Sequence, residues 1–236
     1  MDFLTSTLLN PVPGLTHAFG QRAPGSRSEA QQAARKAFSG KGAVFFLKQV
    51  HGCAVAKPPF EDPPEADASV TETEGTLLAI ETADCLPVFI VDPLARRVAA
   101  AHAGWRGTVA RVSQAAARTL IAAGSRPDDL LVALGPAIGP CCYEVGPDVE
   151  QAFGPARAKC FVRGRGDRKH LDLAAANRDQ LVETGIDPTR IECLNLCTSC
   201  RGDLFFSYRR DGAHAGRMIS VVGFSKAPAS SGERQS

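Results

Sequence analysis

Three residues in this chain combine the right side chains with a suggestive placement, and all three are metal-ligand types: His51, Cys85 and His102. Zinc accepts imidazole nitrogen and thiolate sulfur, and three protein ligands leave a fourth tetrahedral position open for water or substrate. A closed structural site needs a fourth ligand. Taken singly, each residue reads equally well as an ordinary member of a half-buried strand. The glycines alter that balance, because Gly52 and Gly104 stand close to the two histidines, where glycine frees the backbone to turn and lets a ligand come near. The set therefore points to a bound ion, Zn2+ first and Cu2+ as the second option.

The elements that must bring these residues together are short apolar runs. Thr82 to Pro87 leads into Val88 to Val91, a turn at Asp92-Pro93 follows, and Val98 to Ala101 leads into His102 to Gly107. Two apolar runs joined by an Asp-Pro turn predict neighbouring strands, which places Cys85 and His102 at one sheet edge. A third run, Ala43 to Val50, ends on His51-Gly52. Three strand ends thus supply His, Cys and His.

Elsewhere, Ser28 to Phe38 reads as a helix with a Ser28/Gln31 capping box, and Ala68 to Val70 and Thr76 to Ile80 read as strands. Apolar residues spaced three or four apart predict a single helix over Thr108 to Ala123, stopped by Gly124. Its positive N-terminus either helps hold an anion beside the metal or is a plain strand-to-helix connection anchored by Trp105. Leu130 to Leu134, Ile191 to Leu194, Leu204 to Ser207 and Met218 to Val222 read as strands, and Asp148 to Phe153 and Asp172 to Thr184 as helices. Many short strands with few helices imply an α+β (mixed α/β) class, one domain over residues 1–226 with central mixed β-sheets flanked by helices. The tail, residues 227–236, has the Ser, Pro and charge content of a disordered segment.

The 236 residues, 44% of them hydrophobic, can build a full core, and a formal charge of +2 suggests neither a nucleic-acid surface nor a membrane patch. No signal peptide and no run of about 18 apolar residues is visible. The expectation is a cytoplasmic protein, monomer or homodimer, whose eight cysteines stay reduced. Cys193, Cys197 and Cys200 invite an iron–sulfur reading. That reading is rejected because Cys193 falls inside a predicted strand, leaving Cys197 and Cys200 in a loop near the pocket, with Cys141 and Cys142 read as neighbouring thiols.

Five blocks carry a family resemblance: Lys48 to Gly52, Thr82 to Val88, Ala101 to Gly107, Gly135 to Gly146, and Phe205 to Asp211. Together they resemble the YfiH-type, laccase-domain family, long labelled multicopper polyphenol oxidase, from about Leu47 to Gly223. The resemblance implies a layered fold and a zinc enzyme that phosphorolyses adenosine, inosine and methylthioadenosine and also deaminates adenosine. Its partners would be a purine nucleoside and phosphate. By motif, His51, Cys85 and His102 match the family's zinc ligands. The segment Asp211 to Arg217 departs from the family pattern, one residue longer with His214 inserted.

Phosphorolysis needs cations for phosphate and help for a departing purine. Arg106, Lys48, Arg209 and Arg210 are the candidate cations, Gln49 a further substrate contact, and Asp84 the candidate acid beside the catalytic Cys85 and His102. In a regular strand Asp84 and Cys85 face opposite ways, so orientation of a ligand histidine is the alternative role for Asp84. The rival readings are a metal-free cysteine hydrolase or deamidase using Cys85 and His102, and a non-catalytic cell-envelope editing factor with a structural metal. A multicopper oxidase needs histidine clusters for several copper ions, and five histidines in all argue against it.

Overall fold

Apolar runs with no polar alternation must be covered on both faces, and the architecture provides that cover. A computed structural model describes residues 2–226; the expected disordered tail lies outside them. The first half of the chain forms β1 (Phe3–Leu4), β2 (Leu15–Gly20), α1 (Arg27–Ala37), β3 (Ala43–Phe45), β4 (Val55–Ala56), β5 (Ala68–Thr71) and β6 (Thr76–Thr82). Then come β7 (Leu86–Asp92), β8 (Arg97–Ala103), α2 (Trp105–Val109), α3 (Val112–Ala122), β9 (Leu131–Leu134) and β10 (Glu144–Val145). The remainder forms α4 (Pro147–Phe153), β11 (Phe161–Arg163), β12 (Lys169–Leu171), α5 (Leu173–Val182), β13 (Ile191–Cys193), α6 (Tyr208–Asp211) and β14 (Met218–Phe224).

Two large mixed sheets stack, one ordered β1-β2-β14-β6-β3 and the other β13-β9-β7-β8-β5-β4. Alternation within each strand assigns residues to layers. Phe89 and Val91 of β7 meet Leu78 and Ile80 of β6 and Val222 and Phe224 of β14 between the sheets, and Phe19 stacks on Phe89 at 4.5 Å. Val88 and Ile90 point the other way, into a core with Ala116 and Leu120 of α3 and Ala176 of α5. On the far side, Ala30 and Ala34 of α1 cover Leu77, Ala79 and Ile219. The result is the expected arrangement of central mixed sheets flanked by helices; the large sheets number two, with a small β10-β12-β11 sheet beside them. Truncating Phe89 to Ala at the centre of this stack would cost about 3–5 kcal/mol.

Several expected elements differ. The first helix begins at Arg27, capped by Ser26 with Glu29 rather than by Ser28 with Gln31, because the Glu29 carboxylate reaches back to the Ser26 N–H at 2.7 Å. The strand expected over Ala43 to Val50 stops at Phe45; from there the chain leaves the sheet and bends, with His51 itself at φ +63°. The helix expected over Thr108 to Ala123 is two helices that together begin earlier, at Trp105, and are broken where Arg111 adopts φ +64°. Gln180 of α5 takes up the Thr108 carbonyl at 2.8 Å, satisfying an acceptor near that break. Leu204 to Ser207 is no strand: the N–H groups of Leu204 and Phe205 fold back onto the Arg201 carbonyl.

Candidate metal centre

The β7–β8 register decides the site. Leu86 faces Ala103 and Pro87 faces His102, so the next pair beyond the sheet edge is Cys85 opposite Gly104. A Cβ on Gly104 would sit 2.8 Å from Cys85 Sγ and 3.2 Å from His51 Cδ2; only glycine leaves room for the thiol and the imidazole. One ligand atom from each of His51, Cys85 and His102 falls within 4.8 Å of the others, and the two imidazoles meet edge to face at 4.9 Å. Such a spread and such a donor set fit one borderline-soft divalent ion.

A residue not anticipated from sequence holds the arrangement. Asp67, fully buried just before β5, accepts from the N–H groups of Val50 (3.0 Å), His51 (2.9 Å) and Gly52 (2.7 Å). Three successive amides converging on one carboxylate form a nest, which gives the left-handed bend at His51 its partner. The same carboxylate pairs with His102 Nδ1 at 2.8 Å, leaving His102 Nε2 as the free nitrogen for an ion. One side chain thereby positions both histidines. The only sequence signal for it was an acid flanked by alanines at the mouth of a strand.

Electrostatics follow from this packing. Burial would push the Cys85 thiol up, but hydrogen bonds and charge from His102 and His51 outweigh it and bring it down to about 6. Burial opposes charge on His102 as well, yet Asp67 and Cys85 raise it to about 9. Burial also works against the Asp67 carboxylate, and His102 with the Gly52 and Val50 amides still hold it below the usual carboxylate range.

His51, Cys85 and His102 open onto a cleft of roughly 430 Å³ that is also lined by Arg27, Gln49, Glu81, Arg106, Tyr208 and Arg217. Arg106 lies on the Trp105 ring at 4.4 Å. Glu81, buried at the end of β6, receives Arg27 Nε at 2.9 Å and Gln31 Nε2 at 3.2 Å. Gln49 reaches the cleft but spends its amide on the backbone of Glu81, donating to its carbonyl and accepting from its N–H, both at 2.8 Å.

Other expected site residues stand elsewhere. Asp84, at φ +85°, turns away from Cys85; its carboxylate accepts from Thr198 Oγ1 (2.6 Å), Ser207 Oγ (3.0 Å) and the Arg209 N–H (2.7 Å), a latch between loops rather than a group facing the cleft. Lys48 pairs with Glu65 on the surface. Arg209 stacks on Tyr143 and donates to the Cys142 and Glu144 carbonyls, while Arg210 is consumed by Asp211 and by the Thr198, Ser199 and Phe205 carbonyls. Arg27, Glu81, Tyr208 and Arg217 were not anticipated. Arg217 reaches the cleft in spite of the longer segment before it, its guanidinium held by the Ala215 and Gly216 carbonyls. α2, at five residues, is too short to serve as an anion-binding helix start.

Comparison with known proteins gives the family. The family model for multi-copper polyphenol oxidoreductase laccase matches residues 23–225. A Deinococcus radiodurans protein named purine nucleoside phosphorylase is 43% identical over 79% of this chain and 72% of its own. Escherichia coli YfiH, of the same name, is 41% identical over 75% and 72%, and a protein named adenosine deaminase RL5, from an unknown prokaryotic organism, is 39% identical over 66% and 61%. Among solved structures, a Neisseria meningitidis protein superposes with a TM-score of 0.82 at 32% identity, covering 96% of this chain and 100% of that one. Bacillus licheniformis YfiH also gives 0.82, at 29% identity over 92% and 96%. The chain belongs to the multi-copper polyphenol oxidoreductase laccase family, as a YfiH-type member.

Proposed function

We propose that this protein is a zinc-dependent purine nucleoside phosphorylase acting on adenosine, inosine and methylthioadenosine, with adenosine deaminase activity. The observation that carries the reading is a three-ligand His51/Cys85/His102 set facing a cleft lined by Arg27, Arg106, Arg217 and Glu81. The names of its relatives support the same chemistry. When bound, zinc supplies Lewis-acid polarisation and lowers the pKa of a water molecule.

The chain's own residues do the rest. Arg106 and Arg217 present planar forks suited to phosphate oxygens, Arg106 pre-oriented by its Trp105 stack. Phosphate oxygen bonds to the ribose anomeric carbon as the bond to the purine nitrogen breaks and its electron pair leaves with the base, so cations placed before the reaction offset charge on both partners. Glu81, fixed by Arg27 and Gln31, accepts from ribose hydroxyls. Asp84 serves as a positioning residue, holding the loop that carries Tyr208. Lys48, Arg209 and Arg210 stand outside this reading of the substrate shell. Among the described residues no helix is long and apolar enough to cross a membrane, and eight free thiols suit the reducing cytoplasm.

One observation favours a second reading: Asp67, His102 and Cys85 also form the acid–imidazole–thiol series of a cysteine hydrolase, with the thiol already depressed. Incubation with adenosine, with and without phosphate, separates the two. Phosphate-dependent adenine, together with inosine, that disappears after chelation and in His51→Ala supports the metalloenzyme. Full activity after chelation supports the hydrolase, and no release of base under any condition supports a non-catalytic factor.

A further inference from the structure

Fifty-four residues of chain, 143–196, separate two pairs of cysteines that the fold brings to one point. Cys141 and Cys142 lie on the turn after β9, and Cys197 and Cys200 on the turn after β13; β9 and β13 are parallel neighbours, so both turns leave the same sheet edge. The four sulfurs lie within 4.8 Å of one another. Cys142 Sγ is 3.4 Å and Cys141 Sγ 3.5 Å from Cys200 Sγ. None of these is a disulfide, whose sulfurs stand about 2.05 Å apart. They approach instead the edges of a tetrahedron around an ion with metal–sulfur bonds of about 2.3 Å, which is roughly 3.8 Å.

We propose that Cys141, Cys142, Cys197 and Cys200 are a second metal site, a closed structural one that takes a single tetrahedral zinc ion and staples the two turns together beside the substrate cleft. The surroundings fit that assignment. The Gly139 N–H donates to Cys197 Sγ at 3.3 Å, as amides do to ligating thiolates. Backbone bonds pre-form the junction: Ala137 N–H to the Leu196 carbonyl at 3.2 Å and Thr198 N–H to the Ala137 carbonyl at 3.0 Å. Four thiolates around one zinc carry a net double negative charge, and the guanidinium groups of Arg209, on the Cys142 carbonyl, and Arg210, on the Thr198 and Ser199 carbonyls, are at hand to offset it. That gives both arginines a task away from the cleft.

The geometry also corrects the sequence spacing. Cys193 sits in β13 against the helix-side core and takes no part; the missing ligands come from the adjacent pair on the other turn. A set this tight suits one ion. The staple reaches the active cleft by contact: Tyr143, next to Cys142, carries the Arg209 stack, and Thr198, between Cys197 and Cys200, hydroxyl-bonds Asp84, which also receives the Arg209 amide beside Tyr208.

Metal counting by plasma mass spectrometry on the full-length protein, purified under reducing conditions, tests the proposal without reference to activity. The expected result is two zinc ions per chain in the wild type, one in His51→Ala, one in Cys200→Ser and two in Cys193→Ser. Cobalt added to metal-stripped His51→Ala, which keeps all four cysteines, should give the intense thiolate-to-cobalt charge-transfer bands of a tetrahedral all-sulfur site. That variant also covers the case in which Cys200→Ser fails to fold. A His51→Ala protein that retains no zinc and takes up no cobalt, whether its four thiols titrate freely or prove to be joined as disulfides by mass spectrometry, overturns the assignment. Because His51→Ala reports only on the four-cysteine site, this outcome is distinct from failure of the phosphorylase reading.

Discussion

The two ligand clusters of this molecule solve opposite problems with overlapping chemistry. The His51/Cys85/His102 set has two nitrogens and one sulfur, opens on a cleft with three arginines, and is oriented by one buried carboxylate. The Cys141/Cys142/Cys197/Cys200 set has four sulfurs, no carboxylate among its ligands, and lies where two turns meet. Three ligands leave a vacancy where chemistry can occur, whereas four close the ion off and leave it only a mechanical role. The comparison teaches that ligand count and the groups around the ligands, more than the presence of cysteine, separate a reactive centre from a staple.

The largest effect should come from the glycine that makes room for the open site. In Gly104→Ala a methyl group must enter at 2.8 Å from Cys85 Sγ, against a rigid strand end. The first ion and the phosphorolytic activity should both be lost while the four-sulfur ion stays, so metal analysis should read one ion per chain. Loss of both ions would dissolve the distinction between the clusters.

Next in size are the two buried acids. Asp67→Asn keeps the shape but puts an amide where four donors converge, so affinity for the first ion should fall by about 10–100-fold, read by chelator competition. Asp84→Ala should leave that affinity unchanged. It removes the acceptor for two hydroxyls and an amide, a loss of about 3 kcal/mol, which for a chain of this size is a drop in Tm of roughly 6–12 °C by calorimetry. If Asp84→Ala instead abolished metal binding and left Tm alone, its placement as a latch would be wrong.

How much of this was legible in the sequence depends on range. Cys85 and His102 were readable because both adjoin one hairpin whose apolar runs fix the register within twenty residues. The placement of His51 beside them was also readable, although the strand expected to carry it ends at Phe45 and a bend brings it there. Asp67 was not, since its role depends on three amides of a bend that only tertiary packing creates. Arg209 and Arg210 show the converse: a basic pair beside a tyrosine looks like a phosphate grip, yet Arg209 donates to the Cys142 and Glu144 carbonyls of a turn far along the chain, and Arg210 to Asp211 and to the Thr198, Ser199 and Phe205 carbonyls. The helix split at Arg111 was hidden because the apolar period runs unbroken through it. The four-cysteine cluster was half visible, with the right cysteines on each turn and no local sign that β9 and β13 are neighbours.

A smaller effect separates the clusters in solution without mutation. In metal-stripped protein, the Cys85 thiol lies at about 6 and His102 at about 9. A depressed acid remains ionised until pH falls through its folded value, so alkylation of Cys85 by iodoacetamide should stay fast from pH 8 down to about 6 and then decline. An ordinary thiol, with a pKa of about 8.5, slows tenfold per unit below that value. Zinc should protect Cys85 across the range. Peptide mapping after timed labelling reads each cysteine separately, and a Cys85 profile with its midpoint near 8.5 would mean that the histidines do not act on the thiol as the geometry requires.

The smallest expected effect is at the glycine of the second cluster. A Cβ on Gly139 would meet Cys197 Cβ at 3.3 Å and Cys141 Sγ at 3.4 Å, contacts that a turn relieves by yielding a few tenths of an ångström. Backbone strain adds nothing, because Gly139 has no left-handed torsion. Gly139→Ala should therefore keep both ions and full activity, with the second ion exchanging a few-fold faster into a chelator. The same substitution at two glycines, each against a ligating sulfur, thus ought to destroy one site and merely loosen the other: a reactive ion is held at a rigid sheet edge, and a stapling ion by turns that can move with it. If Gly139→Ala released its ion as completely as Gly104→Ala, the turns would be as unyielding as the sheet, and rigidity could no longer distinguish the two sites.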